Sequence, residues 1–261
     1  MTLPTTADAA PVADPWAELR RHTPARIALG RAGTSLPTAE LLRFAAAHAQ
    51  ARDAVHIALD TGALARDLSA LGLAPLTVRS RAGDRESYLR RPDLGRRLDP
   101  ADAARLQAQA RGPTDLALVL GDGLSAVALQ QHAAPLLAAL LPLLAPGLTL
   151  APLVIATQAR VALADEIGAL LQARVVLMLL GERPGLSAPD SLGAYLTHGP
   201  QLGCSDAQRN CVSNIRPAGL PIALAARRLA WLLGEAWRRR LSGVALKDDS
   251  GTALLDSSTG R

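Results

Sequence analysis

The sequence contains the runs LALVL (116–120), PLVIA (152–156) and VVLMLL (175–180), three short apolar stretches that are each bounded by polar or turn residues. Helix-like segments lie between them, at residues 124–144 and 161–172. Short apolar runs in this setting are typical of buried strands. Because strands that alternate with helices form parallel sheets with crossover helices on their faces, the sequence predicts an α/β domain.

The segments that directly follow these runs are candidates for a ligand site. They combine glycine with charged or amide side chains, and they are residues 121–123, 157–160 and 181–185. In a parallel sheet, ligands bind beyond the carboxyl ends of the strands. We therefore expect the three segments to lie on one edge of the sheet, and we expect residues 181–220 to form a ligand-facing loop.

The part of the chain before the first apolar run has a different character. Residues 1–15 are rich in Ala, Thr and Pro without periodicity, which predicts a disordered lead-in. Residues 16–111 show helical spacing and only a short strand near residues 76–79, which predicts an N-terminal helical domain. The change of pattern at Gly112-Pro113 predicts a domain boundary.

The α/β domain is predicted to span residues 112–247. A helix at residues 221–241 closes it, and the polar residues 248–261 predict a mobile tail. The predicted fold class is α/β, with a small N-terminal helical domain followed by a Rossmann-like three-layer domain with a mostly parallel sheet.

Composition and charge exclude several function classes. The net charge is +5 over 261 residues, yet the arginines form only separate pairs and one triplet, without the neighbouring aromatic residues that single-stranded nucleic acid prefers. Solvated faces or protein contacts explain this charge better than nucleic-acid binding does. The apolar run at residues 133–145 is too short to span a bilayer and contains two prolines, so no membrane span is expected.

The cysteines and the N-terminus indicate a reduced, cytosolic protein. Cys204 and Cys211 cannot form a disulfide framework, and only His198 is near enough in sequence to join them in a metal site, so we expect no structural metal. No basic segment followed by an apolar one opens the chain, so no secretory signal is expected.

Motifs of stand-alone enzymes are absent from the sequence. It contains no G-x-S-x-G elbow, P-loop or G-x-G-x-x-G fingerprint. The closest segment, GDGLS at residues 121–125, has two interpretations: a tight turn that leads into a helix, or glycines that admit a bulky ligand close to the backbone. We therefore predict no catalytic acid, base or nucleophile in this chain.

Several segments resemble one protein family. They are GERPG (181–185), CVSNIRP (211–217), ARIALGRAG (25–33), YLRRPDLGRRL (88–98), GDGLSA (121–126) and QARVALADEIG (158–168). In this order and spacing they are similar to the small, or light, subunit of ethanolamine ammonia-lyase. That adenosylcobalamin-dependent enzyme converts ethanolamine to acetaldehyde and ammonia, and the resemblance covers most of the chain from Ala25 onward.

The resemblance implies three cofactor-binding residues, Val161, Glu182 and Cys211. Glu182 would accept hydrogen bonds from amide or ribose groups of cobalamin, Cys211 would be a small soft contact, and Val161 would offer a backbone group and apolar packing at a helix start. The alternatives are an ion pair of Glu182 with Arg183 or Arg160, and a buried structural role for Cys211. Further candidates, chosen by adjacency and donor type, are Arg160, Arg183, Ser187 and Asn214.

The resemblance also implies partners and a form of the cofactor. A large subunit would bind ethanolamine and surround the radical chemistry, and this chain would cover the lower face of adenosylcobalamin in a hetero-oligomer. The complex would lie either in the free cytosol or in a bacterial microcompartment. No histidine lies in a D-x-H-x-x-G motif, so bound cobalamin should keep its dimethylbenzimidazole as the lower ligand. Two alternatives stay open: a free-standing module for a nucleotide-like ligand, and a purely structural subunit.

Overall fold

The centre of the structure, a computed structural model that describes residues 14–251, is one six-stranded sheet. The strands are β1 (Pro75–Arg79), β2 (Thr114–Gly121), β3 (Leu153–Thr157), β4 (Ala173–Gly181), β5 (Leu192–His198) and β6 (Arg209–Ile215). They lie in the order β1-β3-β2-β4-β5-β6. The first four in this order are mutually parallel, whereas β5 is antiparallel to β4 and to β6.

Seven α-helices accompany the sheet in the described part of the chain. They are α1 (Thr38–His56), α2 (Thr61–Ser69), α3 (Arg85–Arg90), α4 (Pro100–Gln107), α5 (Ala126–Leu140), α6 (Leu163–Leu170) and α7 (Ile222–Arg239). Side-chain caps start four of them: Asp60, Asp84, Asp99 and Ser125 accept hydrogen bonds from backbone amides in the first turns of α2, α3, α4 and α5. The local sequence therefore sets where these helices begin.

Side chains that alternate along each buried strand create two cores. Leu116, Leu118 and Leu120 of β2 pack with α2, α5 and α7, whereas Ala117 and Val119 face the other side, towards α4 and α6. Successive strand residues point to opposite faces, so a run that is apolar throughout must be covered on both. The three-layer arrangement follows from this, and the predicted α/β class with a mostly parallel sheet is confirmed.

The end of the sheet differs from the prediction for residues 181–220, which was a single ligand-facing loop. That segment contains β5 and β6. The correction has a physical reason: β4 is buried along nearly its whole length, and its free edge must be paired because unpaired backbone groups are costly to bury. With β5 and β6 added in antiparallel pairing at one side and β1 at the other, the strand order also differs from the Rossmann order.

The predicted domain boundary at Gly112-Pro113 does not coincide with the division of the structure into compact units. One unit ends at Asp53 and includes residues 185–187, and the other contains residues 54–184 and the chain from Ala188 onward. The predicted strand near residues 76–79 is present as β1, and it pairs with β3 over five residues. Since β1 is an edge strand of the sheet, the segment that leads to it belongs with the α/β unit and not with a separate helical domain.

The unit that ends at Asp53 contains a short 3-10 turn, Ala17–Arg21, and most of α1. Glu40 forms ion pairs with Arg20 and Arg43. Leu41, Leu42 and Phe44 of α1 are exposed. The predicted lead-in lies outside the described residues except for its last two positions, 14 and 15.

The C-terminal segment is described as far as residue 251. Asp248 pairs with Arg228 of α7 at 3.1 Å, and Ser250 is buried. The described part of the predicted mobile tail is therefore attached to the α/β unit, because α7 supplies it with an ionic partner.

Helix α5, with the turn that follows it, is the single described helix that is apolar and long enough to cross a membrane, with a mean hydropathy of 1.4 over residues 126–143. In the structure its apolar face packs in the core with Leu129, Ala133 and Leu136. It also contains Pro135 and buried His132. Its apolar composition is explained by this packing.

Candidate functional site

A cleft of about 410 Å³ opens where β2, β3 and β4 end, and we call it the strand-end cleft. Its lining includes Gly123 and Leu124 after β2, Arg160 and Val161 after β3, Glu182 and Arg183 after β4, and Tyr195 of β5. The prediction that the three segments after the apolar runs meet on one edge is therefore confirmed. The neighbouring surface holds a second cleft of similar volume, which shares Arg160 and Val161 with the first.

The segment GDGLS forms a tight turn in which two backbones touch. Gly123 has φ +56°, and a Cβ at this position would lie 2.0 Å from the carbonyl oxygen of Gly181. Leu124 N–H donates to the same oxygen at 2.9 Å. The tight-turn interpretation is confirmed, because the Gly181 backbone fills the position that a side chain at Gly123 would occupy.

Buried Asp122 ties the ends of β2 and β3 together. Its carboxylate accepts hydrogen bonds from Gln158 N–H at 2.8 Å and from Ala159 N–H at 2.9 Å. Arg85 Nη1 lies 3.9 Å from Oδ2. Burial raises the pKa of Asp122, while these two amides and the arginine oppose the rise. The carboxylate thereby fixes the turn that carries Arg160 and Val161.

The wall next to this turn is built on Tyr88, which lies between two guanidinium groups. The Arg160 and Arg85 carbons Cζ are 4.2 Å and 4.7 Å from the ring centroid. The tyrosine hydroxyl donates to the carbonyl oxygen of Ala159 at 3.0 Å, and burial raises the pKa of Tyr88 to about 12. Arg160 Nη2 also donates to the Tyr88 carbonyl at 3.0 Å. Cation–π contacts and these hydrogen bonds hold Arg160 at the cleft.

Glu182 lies at the end of β4 with one carboxylate oxygen held by two donors. Oε2 accepts from Ser191 Oγ at 2.5 Å and from Asn214 N–H at 3.1 Å. Among the described residues, neither Arg160 nor Arg183 forms an ion pair with it, so the alternative interpretation of Glu182 as a member of such a pair is wrong. The remaining oxygen, Oε1, lies beside Gly193, where a Cβ would be only 2.7 Å away.

Cys211 lies on β6, directly opposite Tyr195 on β5. This register links Cys211 to a residue that lines the strand-end cleft. By surface area Cys211 is exposed, which contradicts the alternative of a buried structural cysteine. Desolvation raises the pKa of Cys211, the neighbouring Tyr195 hydroxyl opposes this rise, and the Glu182 charge adds to it.

The predicted residues are thus brought together to different degrees. Val161 and Glu182 line the same cleft, with Val161 two residues before α6, and Cys211 reaches it through Tyr195. Of the further candidates, Arg160 and Arg183 line the cleft, and the backbone of Asn214, at φ +58°, contacts Glu182. Ser187 is exposed, and the lining of the cleft does not include it.

Sequence reasoning missed five residues that build the site. They are Arg85, Tyr88, Asp122, Ser191 and Tyr195. Tyr88 and Asp122 stand in segments that carry the family resemblance, but their contacts are non-local. The alternation in LGAYLTH (192–198) is a strand pattern that would have indicated β5 and hence Tyr195.

The site does not contain a metal centre within residues 14–251. No group of three or more histidine, cysteine or acidic side chains is close enough there to hold a metal ion, and both cysteines are free. The chemistry that the cleft can supply is hydrogen bonding and packing: a carboxylate acceptor, guanidinium donors, backbone amides and the apolar surface of Val161 and Leu180.

Comparison with known proteins gives a consistent result. The family model described as ethanolamine ammonia-lyase light chain matches residues 13–247. A protein of Azotobacter vinelandii named ethanolamine ammonia-lyase small subunit is 59% identical over 247 residues, which are 93% of this chain and 92% of that protein. A protein of the same name from Ralstonia nicotianae is 55% identical over 94% of this chain and 92% of its own length. Another from Pseudomonas syringae pv. tomato is 54% identical over 96% of this chain and 88% of its own length.

Proposed function

Because this chain belongs to the ethanolamine ammonia-lyase light-chain family and is the small subunit of a heteromeric lyase, we propose that it holds part of adenosylcobalamin at the interface with a large subunit. The observation that carries the proposal is the strand-end cleft, in which Val161 and Glu182 meet and to which Tyr195 connects Cys211. The reaction of the complete enzyme would be the conversion of ethanolamine to acetaldehyde and ammonia.

The residues present fit the chemistry of a corrinoid. A corrin ring offers apolar faces and a rim of amide groups, and the cleft offers the apolar surface of Val161 and Leu180 together with Glu182 as an acceptor. Arg160 Nε is buried without a hydrogen-bond partner, so the wall has unused donor capacity. A cleft of about 410 Å³ holds only part of so large a molecule, which supports a site shared with a second chain.

Each residue would contribute binding and orientation. When bound, the cofactor supplies the radical by homolysis of its cobalt–carbon bond. Glu182 accepts a hydrogen bond from an amide or ribose hydroxyl group, Val161 packs against the ring or a side arm, and Cys211 is a soft contact on the neighbouring strand. None of them needs to move a proton, so we assign this chain no catalytic acid or base.

The partner carries the rest of the proposal. The relatives' name, small subunit, implies a larger one, and we propose that the larger chain binds ethanolamine and surrounds the reacting atoms. We place the complex in the cytosol, free or inside a bacterial microcompartment. Removal of this chain should then abolish activity without removal of any acid–base group.

Reconstitution tests the proposal. This chain is co-expressed with the large subunit from the same genome, and acetaldehyde formation from ethanolamine and adenosylcobalamin is compared with that of the large subunit alone. We expect activity only with both chains. Activity of the large subunit alone, or no association of matched chains, would overturn the shared-site proposal. Tight cobalamin binding by the isolated small chain would favour the alternative of a free-standing module.

Substitution of Glu182 separates the cofactor role from a structural role. Glu182→Ala removes a charged acceptor, which is worth about 1.5–3 kcal/mol and hence about 10- to 150-fold in the apparent cobalamin dissociation constant of the complex. Glu86→Ala is the matched control, because its pair with Arg90 is exposed and contributes little. An unchanged cofactor affinity in Glu182→Ala would favour the purely structural subunit.

A further inference from the structure

Glu182 is held in a way that a surface carboxylate does not need. Both donors to its carboxylate converge on Oε2: the Ser191 hydroxyl at 2.5 Å and the Asn214 amide at 3.1 Å. Oε1 has no hydrogen-bond partner among residues 14–251. One oxygen is therefore occupied and the other is presented in a defined direction.

The two donors are themselves fixed by the fold. Ser191 is buried, and its carbonyl oxygen accepts from Glu182 N–H at 2.9 Å, so the two residues are joined by backbone and side chain together. Asn214 has φ +58°, a left-handed conformation that is unusual for a residue other than glycine. Its carbonyl accepts from Leu220 N–H at 2.7 Å, which supports the unusual conformation.

Gly193 provides the space for the free oxygen. A Cβ there would lie 2.7 Å from Glu182 Oε1 and 3.0 Å from a ring carbon of Tyr195. Gly193 also lies where the β5–β6 pairing shifts register, between Leu192 and Ala194. The irregularity and the missing side chain leave room for a carboxylate next to the strand-end cleft.

We propose that Ser191 and the Asn214 amide are positioning groups, which hold Glu182 so that Oε1 accepts a hydrogen bond from an N–H or O–H of the ligand in the cleft. The inference rests on the proposed function, in which that ligand is the corrinoid, and it adds residues that act through Glu182. An amide or hydroxyl is the class of group selected, because an ionised carboxylate can only accept. A ligand group with only acceptor atoms at this point would be repelled.

A double-mutant cycle in the reconstituted complex tests the positioning role. Ser191→Ala should raise the apparent dissociation constant of adenosylcobalamin about 5- to 20-fold, since a hydrogen bond to a charged group is lost and the carboxylate becomes free to rotate. In the Glu182→Ala background the same substitution should change the constant less than about twofold, because its target is absent. Ser69→Ala is the matched control: its hydroxyl bonds within α2 at 2.8 Å to Ala65 and lies in another part of the sheet unit.

A second measurement uses the free full-length chain without cofactor. The Asn214 amide proton should exchange with solvent more quickly in Glu182→Ala than in the unsubstituted chain, because its acceptor has been removed. Circular dichroism establishes that each variant is folded. If Ser191→Ala does not fold, Gly193→Ala replaces it, since the added methyl group displaces Oε1 without the loss of a donor.

The outcomes separate the two levels of the proposal. Two results would show that the positioning role is wrong while the proposed function stands. In the first, Glu182→Ala weakens cofactor binding and Ser191→Ala does not. In the second, Ser191→Ala has the same effect in the parent and in the Glu182→Ala background. If Asn214 exchange responds but Glu182→Ala leaves cofactor affinity unchanged, the Glu182 contact in the proposed function fails. A coupled loss in the cycle with faster Asn214 exchange supports both.

Discussion

The buried ion pair between Asp165 of α6 and Arg209 of β6 should be the most sensitive polar contact of the sheet unit. Arg209 Nη2 lies 2.8 Å from Asp165 Oδ2, and each side chain is only 3% exposed. Arg209 Nη2 also donates to the Cys204 carbonyl at 2.8 Å. The pair connects α6 to the strand that carries Cys211, and we predict that Arg209→Met strongly destabilises the fold.

The magnitude follows from the burial of both partners. Because solvent cannot replace the lost cation, removal of one partner of such a pair costs about 3–5 kcal/mol. For a domain of this size, a change of 1 kcal/mol shifts Tm by about 2–4 °C, so Tm should fall by about 6–20 °C. Replacement of both partners, Asp165→Leu with Arg209→Met, should recover much of the loss, because no charge is left buried.

The loss should depend on pH in a defined direction. Burial raises the pKa of Asp165 to about 6, and Arg209 opposes this rise, so without Arg209 the folded-state pKa is higher still. The unfolded value is about 3.9. A group with a raised folded pKa keeps its contribution to stability below the unfolded value and loses it as pH rises through the folded value. The free energy of unfolding that Arg209→Met loses, relative to the unsubstituted chain, should therefore be smaller at pH 4.5 than at pH 8.

Urea unfolding at both pH values measures these differences, with the unsubstituted chain compared at each pH. Arg238→Met is the control, because its pair with Glu235 is on the surface. A loss below about 1 kcal/mol at pH 8, or an equal loss at both pH values, would refute the account of Asp165 as a charge that is neutralised by Arg209.

Three further predictions concern the strand-end cleft. Gly123→Ala should unfold the chain or lower its Tm strongly, since its Cβ would lie 2.0 Å from the Gly181 carbonyl. A Tm within experimental error of the parent would contradict the backbone contact. The control is Gly72→Ala, a site that is also at positive φ but has no neighbours within 4 Å. Tyr88→Phe leaves the Ala159 carbonyl without its 3.0 Å donor and should cost about 1–3 kcal/mol in urea unfolding, which an unchanged midpoint would disprove. Because desolvation raises the pKa of Cys211 above its usual value of 9.0, its alkylation rate, followed by peptide mass spectrometry, should still increase above pH 9, and a plateau below that pH would argue against the raised value.

The strands and helices of the sheet unit were largely predictable from local pattern. The runs at residues 116–120, 152–156 and 175–180 became β2, β3 and β4 because each is apolar on both faces and is bounded by turn residues. The segments after them met on one edge because parallel strands share their carboxyl ends. Strands β5 and β6 were missed. The alternation of Leu192, Ala194 and Leu196 in β5 is a local strand pattern that was overlooked, and the pairing of β5 depends on the free edge of β4.

The candidate site was predictable only in part. Glu182 lies in a segment that was indicated by its place after a strand, whereas Val161 and Cys211 were indicated by family resemblance alone. The structure brings Glu182 and Val161 into one cleft. Ser191 and Tyr88 carry no distinguishing local pattern, although one orients Glu182 and the other supports Arg160. Their roles depend on contacts between elements that local periodicity does not encode.

The sequence by itself determined the alternation of strands and helices, the capping of the helices and the membership of a family, because these depend on the order of neighbouring residues. Only the tertiary structure decided that β1 joins the sheet, so that the α/β unit begins at residue 54 and not at residue 112. It also decided that Glu182 has one occupied oxygen and one free one. The physical reason is the same for both: strand pairing and hydrogen-bond geometry join residues that are distant in sequence, and their partners exist only after the chain has folded.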